Sequence, residues 1–118
     1  MLVDDNREFC ETLAEFLTLQ GQAVQCAENG SEALRLVADS HIRPAVILLD
    51  LEMPILDGWG FLAERGKDPL LAGVPVVIMS AFQDIAQRAK EAGAVAVLCK
   101  PVEPQTLLRL IEHFGGRA

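Results

Sequence analysis

Short apolar runs alternate with stretches of helical periodicity along the chain, and four of those runs break off at an acid, a hydroxyl or an ammonium. Met1-Leu2-Val3 stops at Asp4-Asp5, Val46-Ile47-Leu48-Leu49 at Asp50, Val76-Val77-Ile78-Met79 at Ser80, and Val95-Ala96-Val97-Leu98-Cys99 at Lys100. Ala45 to Leu49 is a nearly unbroken run of β-branched and leucine residues, which is how a strand buried on both faces of a parallel sheet reads. Its shortness favours strand over helix. Ala23 to Ala27, Val74 to Met79 and Ala94 to Cys99 read as further strands, with Pro75 tolerated near a strand start.

Between the strands the period lengthens. Phe9, Leu13, Phe16 and Leu17 share a helical face that ends at Gly21, and Asn29-Gly30-Ser31 supplies a turn and N-cap for a helix carrying Ala33, Leu34, Val37 and Ala38. Met53 to Gly58 is punctuated as a loop by Pro54 and Gly58, after which Trp59, Phe61 and Leu62 open a third helix. Phe82, Ile85, Ala89 and Ala92 give a fourth helix an apolar stripe ended by Gly93. A fifth runs from about Glu103 to Phe114, with Leu107, Leu108, Leu110 and Ile111 inside and Gly115-Gly116 after it. Alternation of strand and helix throughout predicts an α/β fold, a parallel sheet covered on both faces.

The 118 residues suit a single domain, 1–118. Although 51% of residues are hydrophobic, no run approaches the roughly 20 residues of a membrane helix, and no export signal is evident. A soluble, cytoplasmic protein with no membrane partner is expected. Cys10, Cys26 and Cys99 lack C-x-x-C spacing and fall in apolar stretches, which predicts reduced core thiols. A formal charge of −7 argues against direct nucleic-acid binding. His41 and His113 are isolated and read as surface or helix-end residues.

If the strands are parallel, their carboxyl ends share one sheet edge, where open α/β sheets bind ligands. Asp4, Asp5, Asp50, Ser80 and Lys100 would then converge. A hard cation such as Mg²⁺ takes oxygen ligands from one or two carboxylates plus phosphate oxygens, which suits Asp5 and Asp50 with Asp4 acting through water. Asp4-Asp5-Asn6 also reads as an N-cap for the first helix, and Ser80 as one for the fourth. Asp50 has no capping role, because Pro54 and Asp57 put the next helix later. A carboxylate beside a cation can attack a phosphoryl donor and become an aspartyl phosphate, and Lys100 and Ser80 would steady its oxygens. Lys100-Pro101 admits a cis bond, which would turn the chain and aim the lysine inward.

Leu2-Val3-Asp4-Asp5-Asn6, Asp50-Leu51-Glu52-Met53-Pro54-Ile55-Leu56-Asp57-Gly58, Ser80-Ala81 and Lys100-Pro101 together resemble the receiver domain of bacterial two-component response regulators, over nearly the whole chain. The resemblance implies a flavodoxin-like, doubly wound (βα)5 three-layer sandwich with strand order 2-1-3-4-5. It implies Asp50 as phosphoacceptor, Mg²⁺ on Asp5, Asp50 and the backbone carbonyl of Glu52, Asp4 acting through water, Lys100 on the phosphoryl group, Ser80 as switch hydroxyl, and the Ala81 N–H as a further donor. The implied phosphodonor is a phosphohistidine on a sensor histidine kinase or phosphotransfer protein. The output would be a downstream protein or a fused domain, with the chain either standing alone or excised from a longer one, and family members can dimerise through the helix four to helix five face. The protein would be a signalling phosphoacceptor rather than an enzyme.

Three positions depart from the family or tune it. Val97 stands where the family usually has an aromatic that swings inward on activation. Phe82, two residues beyond the switch hydroxyl, is expected to screen the attacking water, whereas Glu52, two beyond the acceptor, could orient one as a general base. The alternatives are a Mg²⁺-dependent phosphohydrolase passing through an aspartyl phosphate, disfavoured by Glu52 where such enzymes commonly carry a second Asp, and a receiver-like module that no longer takes phosphate.

Overall fold

The computed structural model describes residues 1–41, 43–52, 57–82 and 84–115. Among the described residues ten elements alternate between strand and helix: β1 (Leu2–Val3), α1 (Arg7–Leu19), β2 (Cys26–Ala27), α2 (Gly30–Ser40), β3 (Ile47–Asp50), α3 (Gly58–Arg65), β4 (Val76–Ser80), α4 (Ala86–Glu91), β5 (Ala96–Cys99) and α5 (Pro104–Phe114). The strands form one parallel sheet in the order β2-β1-β3-β4-β5. That is the flavodoxin-like arrangement implied by the resemblance.

The three layers follow from the two-residue period of a strand, which sends successive side chains to opposite faces. Val3, Ile47, Leu49, Val76 and Ile78 point to one face and pack with Ala33 and Val37 of α2, Phe61 and Leu62 of α3 and Ala89 of α4. Leu2, Leu48, Val77 and Met79 point to the other, against Cys10, Leu13 and Leu17 of α1 and Leu107, Leu108 and Ile111 of α5. Both faces of β3 and β4 are therefore apolar, and the sequence there runs without polar interruption.

Helix starts are fixed by short polar side chains. Asn6 accepts from the Phe9 N–H at 3.0 Å, Asn29 from Glu32 at 2.8 Å, and Asp57 from Gly60 at 2.8 Å. The α1 cap is thus Asn6, leaving Asp4 and Asp5 ahead of the helix. Ser80 caps nothing: it is the last residue of β4, and α4 begins after Ile85 with no side-chain cap.

Several expectations need correction. β2 covers two residues rather than five, because it is an edge strand with exposed Ala23, Gln25 and Cys26. Phe82 does not join the α4 stripe; it precedes the helix and is 60% exposed. Only Cys10 of the three thiols is buried, because Cys26 and Cys99 lie on the two edge strands. Leu110 of α5 is half-buried rather than inside, and Ala38 is exposed. His41 ends α2 in the left-handed conformation (φ 57°), and His113 lies in the last turn of α5, so both are helix-end residues. The Met53–Leu56 part of the predicted loop, Gln83 and Gly116 lie outside the described residues.

Candidate functional site

The parallel ladder places the candidate residues at one sheet edge. Leu2 and Val3 of β1 pair with Leu48 and Leu49 of β3, so the next residue in each strand, Asp4 and Asp50, lie side by side. Asp50 pairs with Met79 on its other flank, and Ser80 with Cys99, the residue before Lys100. Asp4, Asp50 and Ser80 are buried and Asp5 is exposed.

One oxygen of each of Asp4, Asp5 and Asp50 lies within 4.8 Å of the others. Asp4 Oδ1 accepts from the Asn6 N–H at 2.9 Å, but among the described residues its buried Oδ2 has no hydrogen-bond partner. A buried carboxylate oxygen without a donor is costly unless a cation completes it. Three hard oxygens and one unpartnered lone-pair site fit Mg²⁺, which favours carboxylate oxygen and retains water.

Lys100 reaches this cluster from β5 across β4. Its Nζ donates to Asp50 Oδ1 at 2.9 Å and stands 3.7 Å from Asp4 Oδ2. The Lys100-Pro101 bond is cis, as its sequence allows. Asp50 Oδ1 also accepts the Glu52 N–H at 3.1 Å. Burial nevertheless pushes the Asp50 carboxyl up to about 6; the Lys100 hydrogen bond opposes this, and the charge of Asp4 adds to it. Burial alone would lower Lys100, yet Asp50, Asp4 and Glu52 together leave it raised. The pair is therefore asymmetric: one ammonium faces three carboxylates, so the lysine stays charged while burial sets Asp50 against ionisation.

On the far side the Ser80 hydroxyl donates to Glu52 Oε2 at 3.0 Å and accepts the Phe82 N–H at 3.0 Å. The Ala81 N–H donates to Glu52 Oε1 at 3.4 Å. All the predicted site residues thus meet at one edge. Sequence reasoning weighed Glu52 for its carbonyl and as a base on water but missed its bond to Ser80, which nothing in its spacing marks. It also missed Arg88, whose guanidinium stacks 4.0 Å above the Trp59 ring beside the site. Val97 is half-buried against the α2, α3 and α4 layer.

Residues 1–112 match the model of the response regulator receiver domain. The chain is 39% identical over 111 residues to a response regulator receiver protein of Anaeromyxobacter sp. (strain Fw109-5), covering 93% of this chain and 45% of that protein. It is 33% identical to the regulatory protein AtoC of Escherichia coli (strain K12) over 96% of this chain and 24% of that protein. In structure it is similar to the chemotaxis protein CheY4 of Vibrio cholerae, with a TM-score of 0.87, 27% identity and coverage of 96% of this chain and 94% of that one. The chain belongs to the response regulator receiver family of two-component signalling. It spans about half the length of four of the curated relatives it matches and about a quarter of AtoC. Among the described residues no helix is long and apolar enough to cross a membrane.

Proposed function

We propose that the protein is a phosphoacceptor, taking a phosphoryl group onto Asp50 from a phosphohistidine of a sensor kinase or phosphotransfer protein and thereby altering a protein-binding face. The observation that carries this reading is the setting of Asp50: a buried carboxylate with an ammonium at 2.9 Å and two further carboxylates close by. An Asp50 oxygen forms the new bond to phosphorus as the phosphorus–nitrogen bond of the donor breaks, and the released imidazole takes up a proton. Asp5, Asp50 and the Glu52 carbonyl would hold Mg²⁺, with Asp4 acting through water. The cation, when bound, supplies positive charge for the phosphoryl oxygens and lets neighbouring carboxylates coexist ionised.

The remaining work falls to the protein's own groups. Lys100 already hydrogen-bonds Asp50 and holds its carboxylate in one orientation, a positioning role of the kind that dominates phosphoryl transfer. Ser80 and the Ala81 N–H offer neutral donors for the other oxygens, and the aspartyl phosphate, with about two negative charges where the carboxylate had one, would strengthen every such bond. Phe82 screens the phosphoryl group from water, so Phe82→Ala is expected to shorten its half-life several-fold; an unchanged half-life would count against that role. The protein acts as a signalling component rather than a turnover enzyme, in the cytoplasm, with protein partners and no direct nucleic-acid contact.

The decisive experiment is intact-mass measurement after incubation with acetyl phosphate and Mg²⁺. One phosphoryl group per chain is expected, lost in Asp50→Ala and in EDTA. Label that persists in Asp50→Ala would refute the assignment, absence of any label would favour a phosphate-independent binding module, and steady release of phosphate would favour a phosphohydrolase.

A further inference from the structure

We infer that Glu52 is the resting occupant of the phosphoryl seat: its carboxylate holds the Ser80 hydroxyl and the Ala81 N–H, which a phosphoryl group on Asp50 would need, and it must leave as Asp50 is loaded. The inference rests on the phosphoacceptor reading above. Its basis is the pair of contacts from one carboxylate, Oε2 to Ser80 Oγ at 3.0 Å and Oε1 to the Ala81 N at 3.4 Å. A serine hydroxyl has one hydrogen to give, and so has a backbone amide. While Glu52 receives them, neither is free for an incoming phosphoryl oxygen, so the two anions compete for the same two hydrogens.

The same residue touches the acceptor. Its N–H is bonded to Asp50 Oδ1 at 3.1 Å, so its side chain springs from a main chain fixed at the reacting carboxylate. The aspartyl phosphate carries about two negative charges where the carboxylate had one, and brings them close to Glu52, whose carboxylate it would repel. The side chain has somewhere to go. Glu52 is exposed and borders an open groove of about 590 Å³ whose lining includes Trp59, Phe82, Asp57, Asp84 and Arg88; the groove gives the side chain room, and the Arg88 guanidinium offsets the two acids there. Displacement would free Ser80 to turn toward Asp50 and would place a carboxylate near α4. Glu52 is thus a positioning residue for Ser80, setting how much of the protein is ready for phosphate. Where only a fraction of molecules is competent, apparent affinity falls by that fraction.

The test is titration with beryllium trifluoride, a mimic of the phosphoryl group on a carboxylate, in saturating Mg²⁺. Trp59, the single tryptophan, lines the groove and reports binding by fluorescence. Wild type, Glu52→Ala, Ser80→Ala and the double variant are compared. Glu52→Ala is expected to lower the half-saturating concentration about tenfold, the result of a resting seat that is ~10% open. In the Ser80→Ala background the gain should fall to less than about threefold, because the occupant has lost its main partner. An equal gain in both backgrounds would mean plain charge repulsion and would overturn the inference. So would an unchanged half-saturation with only a longer phosphoryl lifetime, the signature of Glu52 acting as a base on water. A wild type that binds no beryllium trifluoride and takes no label from acetyl phosphate overturns the phosphoacceptor reading itself, whereas one that binds and labels while Glu52→Ala gains nothing overturns this inference alone.

Discussion

Gly58→Ala is expected to destabilise the protein by about 2–3 kcal/mol, a fall of roughly 10 °C in Tm, and to slow labelling of Asp50. Gly58 is the first residue of α3 and is buried against the turn that leaves β3. A Cβ there would lie 2.7 Å from the Leu51 Cα and 3.0 Å from the Asp50 carbonyl oxygen. The main chain cannot yield easily, because the Leu51 N–H is bonded to Met79 O at 3.2 Å and the Gly58 N–H to Leu51 O at 3.1 Å. Relief would have to move the acceptor's own backbone. Gly66→Ala is the matched control: its Cβ would meet nothing closer than 3.6 Å, and its φ of −65° suits alanine. Thermal denaturation of the two variants measures the contrast, and a Gly58→Ala protein as stable as Gly66→Ala would refute the close-approach argument.

Asp50→Asn is expected to be more stable than wild type at pH 7.5 in EDTA, by about 1–3 kcal/mol, and to lose that advantage near pH 4. The folded-state pKa of Asp50 is raised, from 3.8 to about 6, so the fold disfavours its ionised form. Below the unfolded value both states are protonated and no penalty exists. Across the interval from about 4 to about 6 the unfolded chain ionises while the folded one holds its proton, so stability falls as pH rises, and above 6 the penalty is complete. Asparagine has the same shape and never ionises. It does leave Lys100 without its ion partner, but the upward shift already contains the attraction to Lys100 and remains positive. Mg²⁺ should reverse the order, since a ligand bound only by folded wild type stabilises it in proportion to the logarithm of its concentration. Urea denaturation at both pH values, with EDTA and with Mg²⁺, gives the four comparisons. A variant less stable than wild type at pH 7.5 in EDTA would show that the ion pair outweighs burial.

The parts of the fold legible in the sequence are those where one physical demand dominates. β3 and β4 are covered on both faces, so their residues must be apolar without interruption, and the acid or hydroxyl that ends each run stands out. The helix starts at Asn6, Asn29 and Asp57 are legible because an unpaired N–H at a helix start needs a side-chain acceptor nearby. The edge strands were harder. β2 and β5 are each paired with a neighbouring strand on one edge only, so Cys26 and Cys99 sit in apolar runs and still meet solvent. Phe82 misled for a related reason: its spacing to Ile85 and Ala89 suits a helix, but α4 has no cap and begins only after Ile85. Strand order was legible only through resemblance, because periodicity does not say which strands are neighbours. At the site, the residue types and their positions at the strand ends pointed to convergence, while the bond from Glu52 to Ser80 depends on loop geometry that no spacing encodes.

The side-by-side placement of Asp4 and Asp50 is a property of the hydrogen-bond ladder between β1 and β3. Neighbouring strands stand about 4.8 Å apart whatever their side chains. The distance between the two acids is therefore set by main-chain bonds, and the outward surfaces of the helices can vary freely without disturbing it. Recognition and chemistry can diverge independently in such a chain: a new partner needs only new helix surface, while the acidic pair keeps its spacing as long as the ladder keeps its register.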